Sequence, residues 1–325
     1  MIGKLDPETL RTIVDRTGAS NPALVTGAAY GEDAAAIDLG EETLVVSSDP
    51  ISLAAEAAGT LGVNVACNDI AAAGADPEFL TNVVFLPDED PETVATLTDQ
   101  LDTAADELGV TIVGGHTEYV PALSRPLLSL TAFGRTDRHV PTGGAEPGDK
   151  LLLTKGAAIE ATGIIATDFA EDLRAASVDD ATIERAAGFF DEISILEDSR
   201  AIREIATGMH DPTEGGVVTG LVELAAAAGV DAVVDRAAVP VRSETAAVCE
   251  AMGVDPLRVF GSGALLAAVP AGEAEAARSR LADRGIEGAV IGELTAPADP
   301  QQGALVLDGE RIVDGGRDEL YPFWE

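Results

Sequence analysis

The chain has 325 residues and carries 57 acidic against 20 basic side chains, a formal charge of −37 at neutral pH. A surface of that sign disfavours nucleic acid and anionic membrane as partners, since both demand cationic contacts. Hydrophobic residues make up 46% but aromatics only 4%, so the core is aliphatic and Ala-rich, and the length fits one large or two ordinary domains. Lysine supplies just three of the basic residues, Lys4, Lys150 and Lys155, and an acidic shell with scarce lysine points to a halophilic protein. The uncharged stretch from Gly261 to Gly272 falls short of the ~18 residues of a membrane span, and the N-terminus turns polar at once, so cytoplasmic residence is the expectation. Cys67 and Cys249 stand far apart and form no metal or redox spacing; buried free thiols are expected.

Asp6-Pro7-Glu8 reads as a helix start, with Gly18 as its stop. Strands are predicted over Thr43 to Ser48 and Phe79 to Leu86, with an Ala-rich helix from Ser52 to Ala73 between them. Asp90-Pro91-Glu92 opens a third helix ending near Gly109, and Val110 to Val113 and Leu127 to Phe133 continue the sheet. The turn-rich stretch from Thr136 to Asp149 is the predicted boundary between domains 1–140 and 147–325. Beyond it, strand Lys150 to Thr154 precedes several helices between Ala158 and Ala206. Then come helix Val217 to Ala228, strand Ala232 to Asp235, strand Ser262 to Val269, helix Gly272 to Arg284 and strand Gly288 to Gly292. This mixture predicts an α/β to α+β fold, because strict βαβ alternation fails after Gly109.

The P-loop pattern, GxGxxG after a strand, HExxH and GxSxG are all absent, which removes the commonest nucleotide, zinc-protease and serine-hydrolase readings. Acidic or amide residues beside glycine remain. Gly31-Glu32-Asp33 forms a small-residue loop, and Asp49 ends a predicted strand, where α/β folds present ligands. Asn68-Asp69 lies inside an otherwise apolar helix and must find polar partners there. The paired glycines of Gly114-Gly115-His116-Thr117-Glu118 would let backbone amides approach an anion. His210-Asp211-Pro212-Thr213-Glu214-Gly215-Gly216 precedes a helix, so Gly215 and Gly216 offer amides to an anion and Asp211 can hold a cation. Lys155 is added because it sits at a strand end beside Gly156.

In order along residues 30 to 295, GEDAA, SSDP, NDIAAAGADP, GGHTE, PGDKLLLTKGAAIEATGIIA and HDPTEGG resemble the AIR synthase related superfamily, with HypE-like proteins closest in style. That superfamily comprises aminoimidazole ribonucleotide synthetase, selenophosphate synthetase, thiamine monophosphate kinase and the hydrogenase maturation protein HypE. The resemblance implies an N-terminal α/β domain that forms a homodimer through its sheet, a C-terminal α+β domain, and ATP bound between them. It further implies Mg²⁺ on Asp33, Asp49, Asp69 and Asp211, of which Asp49, Asp69 and Asp211 act in catalysis. Asn68, Gly114, Gly115, His116 and Thr117 would line the nucleotide site.

The implied chemistry activates an oxygen of a small acceptor by attack on ATP. A thiamine monophosphate kinase or aminoimidazole ribonucleotide synthetase type of enzyme is the first alternative, and a non-catalytic nucleotide-binding regulator is the second. Selenophosphate synthesis is disfavoured because no cysteine precedes Cys67. No cysteine follows Cys249 either, which departs from the C-terminal cysteine of HypE and puts a carrier role in doubt.

Overall fold

In the computed structural model, which describes residues 3–53 and 57–325, the chain forms two mixed sheets clothed by helices. Helix α1 (Pro7–Val14) is capped by Asp6, whose carboxylate accepts from the Thr9 amide at 2.9 Å, as expected of Asp before Pro. Strands β1 (Leu24–Thr26), β2 (Ala35–Asp38) and β3 (Thr43–Ile51) lead to helix α2 (Ala58–Ala72). Strand β4 (Asp76–Leu86), helix α3 (Pro91–Leu108), β5 (Thr111–Tyr119) and β6 (Leu127–Thr136) complete the first unit. The sheet order is β1-β2-β3-β6-β4-β5, with only β4 and β5 parallel, joined by α3. Asp90 caps α3 and Gly109 ends it in the left-handed conformation, as the sequence predicts.

Three expectations need correction here. Strand β3 runs on to Ile51, so Asp49 lies within it and not at its end. Beyond Val46 the β2 pairing has stopped while β6 continues through Ile51, which leaves Pro50 on a locally one-sided strand where its missing N–H is tolerated. Helix α2 begins at Ala58, so Leu53 precedes it; the helical expectation over residues 54–56 lies outside the described residues. The Gly114 to Glu118 segment, which lies beyond the predicted strand Val110 to Val113, is itself strand. Parallel pairing with β4 continues as far as Leu86 and Tyr119, so this segment extends the edge strand β5 and is exposed.

Helix α2 carries small and apolar residues apart from Thr60, Asn64, Asn68 and Asp69, and every residue of it but Thr60 is buried. Cys67 and Ile70 belong to one buried cluster with Leu128 and Leu130 of β6 and with Ile195 and Ile202 of the second unit. The shared core therefore fixes the two units against each other, at ~1.5–3 kcal/mol for each large aliphatic side chain buried.

The second unit begins after segment 137–149 with β7 (Lys150–Thr154) and helices α4 (Ile159–Asp168), α5 (Ala170–Ala175), α6 (Asp180–Ala187) and α7 (Leu196–Ile202). Next come β8 (Gly208–His210), α8 (Gly216–Ala228), β9 (Asp231–Val234), α9 (Ser243–Met252) and β10 (Leu266–Val269). The unit closes with α10 (Ala274–Ala282), β11 (Gly288–Thr295), β12 (Ala304–Leu307) and β13 (Glu310–Ile312). These strands form a sheet in the order β13-β12-β9-β11-β7-β10-β8. The predicted strand from Ser262 starts only at Leu266. Its first residues are taken up otherwise, since Phe260 and Ser262 carbonyls accept from the Ala161 and Glu160 amides at the start of α4. At the C-terminal end Trp324 packs edge-on against Phe169 and Phe260, and Tyr321 against Phe260.

Candidate active site

A cavity of about 450 Å³ lies between β3, α2, α4 and the connection from β8 to α8. Asp33, Asp49 and Asp69 line it. Gly31 places the first of these, since it holds φ +89° and a Cβ there would stand 2.4 Å from the Glu223 carbonyl oxygen, a position that only glycine fills without strain. Glu32, which also lines the cavity, accepts from the Thr142 and Gly143 amides at 3.1 and 2.8 Å. Asp33 faces His210, whose Nδ1 lies 2.8 Å from Asp33 Oδ1 while Nε2 lies 3.2 Å from Glu223 Oε2. Burial would lower the His210 pKa, but Asp33 and Glu223 outweigh it and raise it to about 10. Lys4 closes the row with Nζ 3.0 Å from Glu223 Oε1. Burial pushes Glu223 up, yet Lys4 and His210 prevail and hold it at about 2.

Ser47 Oγ donates to Asp69 Oδ2 at 2.5 Å and lies 3.4 Å from Asp49 Oδ2. Burial, then the neighbouring Asp49, Asp33 and Asp211, raise Asp69 well above the usual carboxylate range. Asp211 is buried directly behind Asp33, to whose carboxylate its amide donates at 3.2 Å. Among the described residues neither of its own carboxylate oxygens has a hydrogen-bond partner, and burial followed by the Asp33 charge raises its pKa as well. Such crowding of buried like charges is what a bound cation relieves. Among the described residues no three His, Cys, Asp or Glu side chains converge tightly enough to hold a metal by themselves, so ligand oxygens would have to complete its shell.

Other predicted site residues go elsewhere. Asn68 is fully buried and spends its amide on the chain, donating to the Ile193 carbonyl at 2.9 Å and accepting from the Ile195 amide at 3.0 Å. Lys155 does not reach the cavity. Its Nζ donates to the carbonyls of Glu192, Ser194 and Gly263 and pairs with Asp198 at 3.1 Å. The Gly215 amide donates to Asp318 at 2.7 Å and the Gly216 amide to the Thr213 carbonyl at 3.0 Å, so neither is free for an anion. Gly114, Gly115, His116 and Thr117 lie on the exposed edge of the first sheet, away from the cavity of their own chain.

Several further residues of the site carry a signal in the sequence. Glu160 stands in the first turn of an otherwise apolar stretch of α4, Glu223 is the one acid of the apolar helix α8, and Lys4 is one of three lysines in the chain. His210 opens the motif that ends at Gly216 and, as one of three histidines in the chain, stands beside its acidic residues.

Two measurable consequences follow from this burial. Asp318 is raised to about 7 by desolvation, and so is Glu160. A carboxyl whose folded pKa is raised stabilises the fold below its unfolded pKa, and that contribution is lost as pH rises through the folded value. Without metal, denaturant melts should therefore show stability falling from about pH 4 to pH 7, less steeply for Asp318→Asn; a slope unchanged in that variant would contradict the assignment. Burial also raises Cys67 and Cys249 to about 12. Neither should react with a thiol reagent in the native protein or gain a carbamoyl adduct by intact-protein mass spectrometry, and both should be modified after denaturation.

Residues 31–136 match the AIR synthase related protein, N-terminal domain, and residues 146–301 match the AIR synthase related protein, C-terminal domain. Carbamoyl dehydratase HypE of Azotobacter vinelandii is 32% identical over 284 residues, covering 81% of this chain and 77% of that protein. Thiamine-monophosphate kinase of Halobacterium salinarum is 27% identical over 294 residues, covering 88% and 93%. A structure of ThiL complexed with AMPPCP and TMP superposes with a TM-score of 0.75 at 18% identity, covering 96% of this chain and 97% of that one. HypE in complex with ATP gives a TM-score of 0.67 at 23% identity, covering 95% and 91%. The two-domain fold of those structures is the fold of this chain.

Proposed function

Because the chain belongs to the AIR synthase related protein family, we propose that it is an ATP-dependent enzyme of the HypE type that activates an oxygen of a small acceptor. The observation that carries this reading is the convergence of Asp33, Asp49 and Asp69 on one cavity in front of Asp211, whose carboxylate oxygens have no partner. Hard, buried carboxylate oxygens fit Mg²⁺. Asp33, Asp49, Asp69 and Asp211 would hold the ion together with nucleotide oxygens, and once bound it offsets the charge of the phosphates.

The chain's own groups do the positioning. His210, anchored by Glu223, fixes the Asp33 carboxylate, and Ser47 orients Asp69. Leu61, Val65, Ile164 and Phe260 supply an apolar wall that keeps water from the reacting phosphate. A homodimer is part of the proposal. The open face of the first sheet carries Phe79 with 45% of its surface exposed, and edge strand β5 ends in a Tyr119 that is 52% exposed. A second copy docked there would cover both and bring His116 and Thr117 into an interface. Among the described residues no helix is long and apolar enough to cross a membrane, and cytoplasmic residence belongs to the same proposal.

The test is ADP formation by the full chain in molar KCl, with Mg²⁺ and with chelator. Turnover that requires the metal supports the enzyme reading; tight nucleotide binding with no turnover on any carbamoyl-bearing or phosphate-bearing acceptor would make the chain a regulator instead. The kinase alternative is favoured by the relative in Halobacterium salinarum. Formation of thiamine diphosphate from thiamine monophosphate would establish it.

A further inference from the structure

The Asp211 carboxylate has no hydrogen-bond partner among the described residues, so no hydrogen bond from a side chain fixes its place. The backbone of the 211–216 segment does that instead. At one end the segment continues β8, whose His210 pairs with Leu266. In its middle the Thr213 carbonyl accepts from the Gly216 and Gly261 amides, each at 3.0 Å. Gly261 comes close there, since a Cβ on it would stand 2.5 Å from the Pro212 carbonyl oxygen. At the other end Gly215 adopts φ +75°, and its amide donates to Asp318 Oδ2 at 2.7 Å.

Asp318 comes from the far end of the chain, 103 positions on. It is buried and does not itself line the aspartate cavity. Its second oxygen, Oδ1, accepts from the Leu320 amide at 2.8 Å. One carboxylate thus joins the segment that carries Asp211 to the turn that carries Leu320 and Tyr321. Leu320 is fully buried, and the Tyr321 ring lines the cavity with its centroid 5.5 Å from that of Phe260, which lines it too. Gly315 brings the same C-terminal segment onto the first turn of α8, where a Cβ at Gly315 would stand 2.1 Å from Thr219 Oγ1. Burial, then the like charges of Glu214 and Glu319, raise Asp318 to about 7 although the two amides oppose them. The charge therefore costs stability as pH rises. What the residue supplies in return is an acceptor for two separate pieces of backbone.

We propose that Asp318 is a positioning residue for the cation site. By holding the Gly215 amide it sets the backbone of the 211–216 segment, and with it where the Asp211 carboxylate stands relative to Asp33. The proposal rests on the reading of these aspartates as the cation site of an ATP-dependent enzyme. The C-terminal segment is then a fixed support of the site, with Tyr321 in the cavity wall and Asp318 behind it.

Mn²⁺, a paramagnetic stand-in for Mg²⁺, is the probe. Its binding to the full chain is measured by electron paramagnetic resonance in molar KCl, alone and with a non-hydrolysable ATP analogue, and ADP formation is followed against Mg²⁺ concentration. Asp318→Ala should bind Mn²⁺ about tenfold more weakly than wild type and need about tenfold more Mg²⁺ for half-maximal turnover. Asp318→Asn keeps one acceptor oxygen, enough for one of the two amides, and should lose about threefold. Glu319→Ala is the control for anchorage of the C-terminal segment alone. Glu319 accepts from the Asp255 amide at 2.7 Å, outside the 211–216 segment, so this variant should melt lower yet bind Mn²⁺ as wild type does. The proposal is overturned if a folded Asp318→Ala protein keeps wild-type Mn²⁺ affinity, if Glu319→Ala weakens binding as much, or if wild type binds no Mn²⁺. Should Asp318→Ala fail to fold, Asp318→Asn decides, and wild-type affinity there overturns the proposal. Mn²⁺ binding that weakens in Asp318→Ala, in a chain that turns over no ATP, would support the positioning role and refute the ATP reading instead.

Discussion

Asp211→Asn is expected to melt at a higher temperature than wild type in chelator and to lose at least about a hundredfold in Mg²⁺-dependent ATP turnover. Both changes have one cause. The Asp211 carboxylate is buried with both oxygens unpartnered and close to Asp33, so in the metal-free protein its charge is a liability that an amide removes. On the proposed function, the same charge would attract the cation. Asp69→Asn should behave similarly, because burial and its acidic neighbours already push its proton affinity up. Asp49→Asn should lose turnover as well. Asp106, an exposed residue of α3, gives the control, and Asp106→Asn should change neither property. Thermal melts with chelator, with Mg²⁺ and with Mg²⁺-ATP read the first effect, and ADP formation reads the second. An Asp211→Asn protein that melts lower in chelator, or one that keeps full turnover, would contradict the assignment of Asp211 to a cation.

The largest change in stability should come from salt. With 57 acids against 20 bases, the carboxylates far outnumber the basic side chains that could neutralise them, although local networks exist. Arg135 bridges Glu42 and Glu78, and Glu197 is held by both Arg200 and Arg284. The repulsion that remains is screened over ~3 Å at 1 M ionic strength against ~10 Å at 0.1 M. Relief of several kcal/mol corresponds to a rise of about 10 °C or more for a chain of this size. Melting curves from dilute buffer to molar KCl should rise throughout. A flat series would show that the acidic shell is solvated without strain and would remove the halophilic reading. Sodium sulfate strengthens apolar burial as well as screening charge, so KCl is the informative salt.

Elements with local instructions were legible in the sequence. Asp6-Pro7 and Asp90-Pro91 start α1 and α3, and Gly109 ends α3, because a cap or a left-handed turn is decided by the residues at the helix end itself. Strand β7 was legible to the residue, since a short apolar run between turn residues leaves little freedom. The order of the acidic motifs was legible too, and with it the family. Which motifs meet was another matter.

The chain itself determined its acidic surface, its helix starts and stops, its mixed α/β character and the set of aspartates from which a cation site could be drawn. Those depend on residue type and near neighbours along the chain. Only the tertiary structure decided how that set divides. Asn68 and Lys155 were drawn into holding the 192–195 segment, because a buried polar group takes whatever partner the packing brings within reach. The Gly114 to Glu118 segment became an edge strand because β4 lay alongside to pair with it. Lys4 and Glu223 are 219 positions apart, as are the partners of other contacts in the site by more than a hundred, such as Asp33 and Asp211. Convergence over such separations is set by the packing of α2 between the two sheets, and no local pattern in the sequence encodes it.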